Sequence, residues 1–127
     1  MRDIKFRAWN GKRMLFMGAG GYNDFELAGG SIYEPSEFEV HRREYPLMQY
    51  TGLTDKNGIE IYDGDIVNLI NAVKRLDGTL EDILCKVKWC YETACFYADE
   101  LGFGAYSLTD YEVEVIGTIY QNPELLS

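Results

Sequence analysis

The stretch Gln49 to Val67, QYTGLTDKNGIEIYDGDIV, constrains this chain more than any other, because it combines two glycine corners with an alternating apolar run. Asp55-Lys56-Asn57-Gly58 is a tight-turn signal, since Asn and Gly tolerate the positive φ that a hairpin loop demands. Ile59 and Ile61 then alternate with Glu60 and Tyr62 at the period of a half-buried strand. Asp63-Gly64 bends the chain again, and Asp65-Ile66-Val67 opens the next strand. A long helix through this stretch is incompatible with that pattern.

The same alternation recurs along the chain. Ile4, Phe6 and Ala8 alternate with Lys5, Arg7 and Trp9, and Asn10-Gly11 leads into Lys12 to Phe16, which predicts a β-hairpin. Lys5, Arg7, Lys12 and Arg13 are expected to share its outer face. The glycine-rich segment Met17 to Gly30 reads as a surface excursion that leads to a short strand near Ile32-Tyr33. Leu47 to Tyr50 enters the organising stretch. Beyond it, Ile66 to Lys74 folds back at Asp77-Gly78 onto Leu80 to Tyr91, where Cys85, Val87, Trp89 and Tyr91 alternate with Lys86, Lys88 and Cys90. A short helix within Asn71 to Leu84 competes locally, because apolar runs of this length suit either state. Glu92-Thr93-Ala94 turns into Cys95 to Ala98, Gly102 and Gly104 interrupt, and Ala105 to Leu108 resumes. In the last strand, Tyr111 to Tyr120, the residues Val113, Val115, Gly117 and Ile119 are expected on one side, with Gly117 marking a bulge. Asn122-Pro123 opens a terminal helical turn. Short strands between glycine turns predict an all-β, mainly antiparallel fold, a small barrel or sandwich formed by one domain over residues 1–127.

Charge narrows the partners. Twelve basic residues face 21 acidic ones, a formal charge of −9, which repels phosphate backbones at long range. No apolar run reaches the roughly 18 residues of a membrane span, and no secretory start is present, so a cytoplasmic protein without membrane partners is expected. Cys85, Cys90 and Cys95 are odd in number, lack the C-x2-C spacing of a zinc knuckle, and accompany a single histidine, His41. They read as three reduced thiols acting as small apolar residues.

Few residue patterns carry chemistry. Gly18-Ala19-Gly20-Gly21 departs from a dinucleotide fingerprint because Asn23 stands where the third glycine belongs. His41, Arg42 and Arg43 form a small basic island that reads as solvated. Asp55, Glu60, Asp63 and Asp65 could gather around Mg²⁺ or act as an acid–base pair. A calcium loop is excluded by Ile59 and Ile66, and Asp in turns commonly bonds nearby backbone N–H groups instead. A structural use of the four acids is therefore preferred. His41 has no sequence cue pairing it with a nucleophile, so neither catalysis nor a cofactor is expected. Tyr50, Leu53, Tyr62, Trp89, Tyr91, Phe96 and Tyr97 supply aromatic and apolar bulk, mostly for the core, with some available for a partner groove.

Four blocks, Met1 to Trp9, Met48 to Leu53, Gly58 to Val67 and Val115 to Leu126, resemble the YopX family in the same order. The resemblance implies an SH3-like, partly open β-barrel with an N-terminal hairpin, long loops and a short C-terminal helical turn, in a protein encoded by phages or prophages. It implies no catalytic residues. The expected function is a protein-interaction module that binds a host or phage protein through Tyr50, Thr51, Gly52, Leu53, Tyr62, Asp63 and Asp65; a homo-oligomer is also compatible. The alternative is a nucleic-acid accessory protein using Lys5, Arg7, Lys12 and Arg13. Less favoured are a metal-dependent hydrolase built on the four acids and a DNA-mimicking inhibitor.

Overall fold

The computed structural model describes residues 5–17, 26–28, 31–33 and 46–126. The chain divides into two compact units, Met1–Gly52 and Leu53–Ser127. The glycine run Gly18 to Gly21 and the island His41 to Arg43 lie outside the described residues.

In the first unit β1 (Phe6–Trp9) lies between β2 (Met14–Met17) and β5 (Leu47–Thr54), antiparallel to both. The predicted hairpin forms at Asn10-Gly11, where Asn10 Oδ1 accepts the N–H groups of Lys12 and Arg13, each at 2.8 Å. Ala8 faces Leu15 across the ladder, and both are buried. Arg7 faces Met48, and side chains directly opposite in a ladder share a sheet face. Tyr50, two residues beyond Met48, therefore covers the same face as Lys5 and Arg7. β3 (Glu26–Ala28) and β4 (Ser31–Tyr33) pair antiparallel, and β4 matches the short strand expected there.

The second unit opens with the corner at Asp55–Gly58. It contains β6 (Glu60–Tyr62), β7 (Asp65–Lys74), β8 (Leu80–Cys90), β9 (Cys95–Asp99), β10 (Ala105–Tyr106) and β11 (Glu112–Thr118). Five of these form an antiparallel sheet in the order β10-β9-β8-β7-β11. Val67, Leu69, Ile83, Cys85, Val87, Ala98 and Val113 make its apolar layer, joined by Ile61 and Leu108. The segment Asn71 to Leu84 is strand, turn and strand, so the local helix does not form. β-Sheet wins because Asp77-Gly78 closes a turn and both arms alternate apolar and polar residues.

Two bulges bend the sheet. The first lies between Leu69 and Val73, where Asn71 has a φ of 54°. Its N–H donates to Asp82 Oδ1 at 2.8 Å, and Asn68 Nδ2 donates to Asp82 Oδ2 at 2.9 Å. The second falls between Val115 and Gly117, at the glycine that the sequence marked. The extra residue shifts the phase of the strand: Val113 and Thr118 are buried while Ile116 is exposed. Val113, Val115, Gly117 and Ile119 thus do not share one face as alternation suggested. A Cβ on Gly117 would lie 2.5 Å from Asn122 Oδ1, and that oxygen accepts the Thr118 N–H at 3.2 Å. A 3₁₀ turn, Pro123–Leu126, follows.

The architecture is all-β and antiparallel, as expected, and this 3₁₀ turn is the one helical element among the described residues. Among those residues no helix is long and apolar enough to cross a membrane.

Candidate functional site

Backbone N–H groups occupy two acids of the organising stretch, Asp55 and Asp65. Asp55 is buried. Its Oδ1 accepts the N–H groups of Asn57 at 2.8 Å and Ile59 at 2.9 Å, and its Oδ2 accepts the Val115 N–H at 2.9 Å. Burial alone would push its carboxyl upward, but the N–H groups of Val115, Ile59 and Asn57, with Lys56 nearby, hold it below the usual carboxylate range. Asp65 is fully buried, and its Oδ2 accepts the Tyr62 N–H at 2.7 Å, closing the Asp63-Gly64 corner. Glu60 and Asp63 are half-buried. Among the described residues, no three His, Cys, Asp or Glu side chains gather in a way that could hold a metal ion.

Most of the residues expected to contact a partner are interior. Tyr50, Thr51, Tyr62 and Asp65 are all buried, leaving Gly52, Leu53 and Asp63 with appreciable exposure. Tyr50, Thr51 and Gly52 belong to the first unit, and the other four residues to the second. The expected alternation of Ile59 and Ile61 with Glu60 and Tyr62 does not hold: Ile59 is exposed, whereas the adjacent residues Ile61 and Tyr62 are both buried.

The basic strip meets the same limit. Arg7 is buried, with its Nε donating to Met48 Sδ at 3.4 Å. The Lys5 ammonium sits 5.4 Å from the centroid of the Tyr50 ring, a cation–π distance. Lys12 and Arg13 are exposed at the turn. Arg7 is thus not on an outer face: it is buried beside its cross-strand neighbour Met48.

The feature that sequence reading missed lies in the second unit. An open concavity of about 490 Å³ runs along β9 between the turns at its two ends, β8–β9 and β9–β10, lined by Cys90, Thr93, Tyr97, Asp99, Phe103 and Ala105. The second corner is strained: Leu101 has a φ of 47° and Gly102 one of 85°. Phe103 N donates to Glu100 O at 2.7 Å, and Glu100 N donates to Gly104 O at 2.9 Å. This corner leaves the Phe103 ring 87% exposed, and Tyr91 at the first corner is 90% exposed. Trp89 beneath packs edge-on to Phe96 and Tyr91, with centroids 4.8 and 6.5 Å away. Asp99, on the concavity wall, pairs with Lys88 at 3.5 Å. The run Gly102-Phe103-Gly104, an aromatic held between two glycines, was the available signal; read only as an interruption, it did not reveal the site.

The cysteines divide. Cys85 is buried as an apolar residue, and burial with Glu100 and Asp99 nearby pushes its thiol up to about 12. Cys90 is half-buried and Cys95 exposed, so these two depart from the expected apolar role.

These features define a class: an antiparallel all-β protein whose buried carboxylates brace its corners and whose exposed aromatics flank a single-unit concavity. The sequence profile described as YopX protein matches residues 5–127. The chain belongs to the YopX family. Among solved structures, it is similar to the crystal structure of protein EF1440 from Enterococcus faecalis, at 26% identity and a TM-score of 0.53, covering 98% of each chain. No curated protein matches it.

Proposed function

We propose that this chain is a phage- or prophage-encoded protein-interaction module acting in the bacterial cytoplasm, rather than an enzyme. The observation that carries this reading is Phe103, a solvent-exposed aromatic lining the concavity along β9, with exposed Tyr91 on the adjoining β8–β9 turn. Large aromatic side chains held in water cost free energy that a partner's surface recovers, and such residues anchor interfaces. The partner that fits is a host or phage protein segment presenting an apolar side chain with basic neighbours. The concavity supplies the apolar contact, and the overall charge of −9 supplies the attraction. A second copy of this chain would bring the same negative charge, which disfavours self-association at this surface. The nucleic-acid reading keeps Lys5, Lys12 and Arg13 but loses Arg7 to the interior.

A displayed peptide library tests the reading. The wild type is expected to select sequences with an aromatic or aliphatic residue flanked by Lys or Arg. Phe103→Asp should lose them, and Leu76→Asp, a change at a still more exposed position on another turn, should retain them. Selection of no common sequence, or equal selection by Phe103→Asp, would contradict it.

A further inference from the structure

Cys90 and Cys95 face each other at the last rung of the β8–β9 ladder, on either side of the turn at residues 91–94. Residues directly opposite in an antiparallel pair have Cα atoms about 4.5–5.5 Å apart, inside the roughly 4.4–6.8 Å that a disulfide spans. The two thiols also converge on one hydroxyl. Thr93 Oγ1 lies 3.1 Å from Cys95 Sγ, and the same side chain hydrogen-bonds Cys90. Neither thiol is locked in the core, whereas Cys85 is.

We propose that Cys90 and Cys95 form a modification site, a cross-strand dithiol that low-molecular-weight disulfides of the glutathione class oxidise to an intramolecular disulfide. Cys90 is the attacking thiol. Hydrogen bonds from the Thr93 hydroxyl and backbone, and from the Glu92 backbone, favour its thiolate and lower its pKa. Its sulfur attacks one sulfur of the small disulfide, whose S–S bond breaks and releases one thiolate. Cys95, deprotonated, then attacks the Cys90 sulfur of the mixed disulfide and expels the second thiolate. The two cysteines lose two electrons, the small disulfide gains them, and the two cysteine protons end on the two released thiols. In a reducing cytoplasm the dithiol form predominates, and oxidation closes the turn that carries Thr93 into the concavity wall.

The test treats the full chain with oxidised glutathione and reads intact mass and alkylated peptides. The expected product is lighter by two hydrogens, links Cys90 to Cys95, and leaves Cys85 unmodified. Cys95→Ser should stop at a stable glutathione adduct on Cys90, and Thr93→Val should slow its formation several-fold. Should Cys95→Ser fail to fold by circular dichroism, Cys95→Ala supplies the same readout. Separate adducts on both cysteines without closure, an intermolecular cross-link, or no reaction of the folded chain would overturn the proposal.

Discussion

The corners at residues 55–59 and 75–79 share one backbone. Asp55 N donates to Ile59 O at 2.7 Å and Gly58 N to Asp55 O at 3.0 Å; the second corner repeats this from Arg75 N to Thr79 O at 2.8 Å and Gly78 N to Arg75 O at 2.9 Å. Both glycines have positive φ, 81° and 89°. The corners differ in where the acid stands. Asp77, third in its turn, bonds Thr79 through that residue's N–H and hydroxyl, at 2.9 and 2.6 Å. Asp55, first in its turn, bonds two N–H groups of the turn and then reaches Val115, 60 positions along the chain. Lys56 reinforces the link, donating its N–H to Val113 O at 2.9 Å and pairing with Glu114 at 3.4 Å. One corner is self-contained, and the other ties β11 to the start of the unit. The same turn backbone therefore says nothing about how far a turn's side chain acts.

The largest expected effect separates the two acids. Asp55→Ala strands three N–H donors, one of them on a core strand, and should cost about 2–4 kcal/mol, read from urea unfolding at pH 7. Asp77→Ala, at an exposed position, should leave the unfolding midpoint essentially in place. Equal effects would break the contrast. Next comes the strand that Asp55 holds: Gly117→Ala drives a methyl into Asn122, which the Thr118 N–H and the following turn keep in place, and should cost about 1–3 kcal/mol. A third pair tests the shared part of the comparison. Gly58 and Gly78 have open space around a would-be Cβ, so Gly58→Ala and Gly78→Ala should each cost about 1–2 kcal/mol from left-handed backbone strain alone, and by equal amounts. The smallest effect belongs to Lys56→Met, which removes a half-exposed ion pair and should change stability by about 0.5 kcal/mol or less.

What the sequence made legible was local. Asn57-Gly58, Asp63-Gly64 and Asp77-Gly78 are corners, and Gly117 sits at a bulge; each follows from backbone preferences that act within a few residues. That Asp55 and Asp65 serve the backbone was also readable, because Asp in a turn is an acceptor for its own loop. The Val115 partner of Asp55 was not readable, since no local pattern encodes a contact across that separation. Arg7 failed for a related reason: alternation sorts a strand into two faces, but whether one stays wet depends on packing that no local pattern encodes, and Arg7 is buried beside Met48. The opposition of Cys90 and Cys95 was within reach, because a turn centred on Glu92 to Ala94 places residues spaced by five across a hairpin. The concavity draws its lining from β9 and from the turns at both its ends, and the positive φ of Leu101 in one of them is announced by no residue type.

The pH dependence of the Asp55 corner tests its role most directly. Its folded pKa is depressed below an unfolded value of about 3.9. Its stabilisation is therefore complete above that value and is lost as pH falls through the folded pKa. Unfolding free energies of the wild type and Asp55→Asn, measured from neutral pH into acid, should differ most near pH 7 and converge in acid. A gap that stays constant throughout, or no gap at pH 7, would contradict the role assigned to this carboxylate.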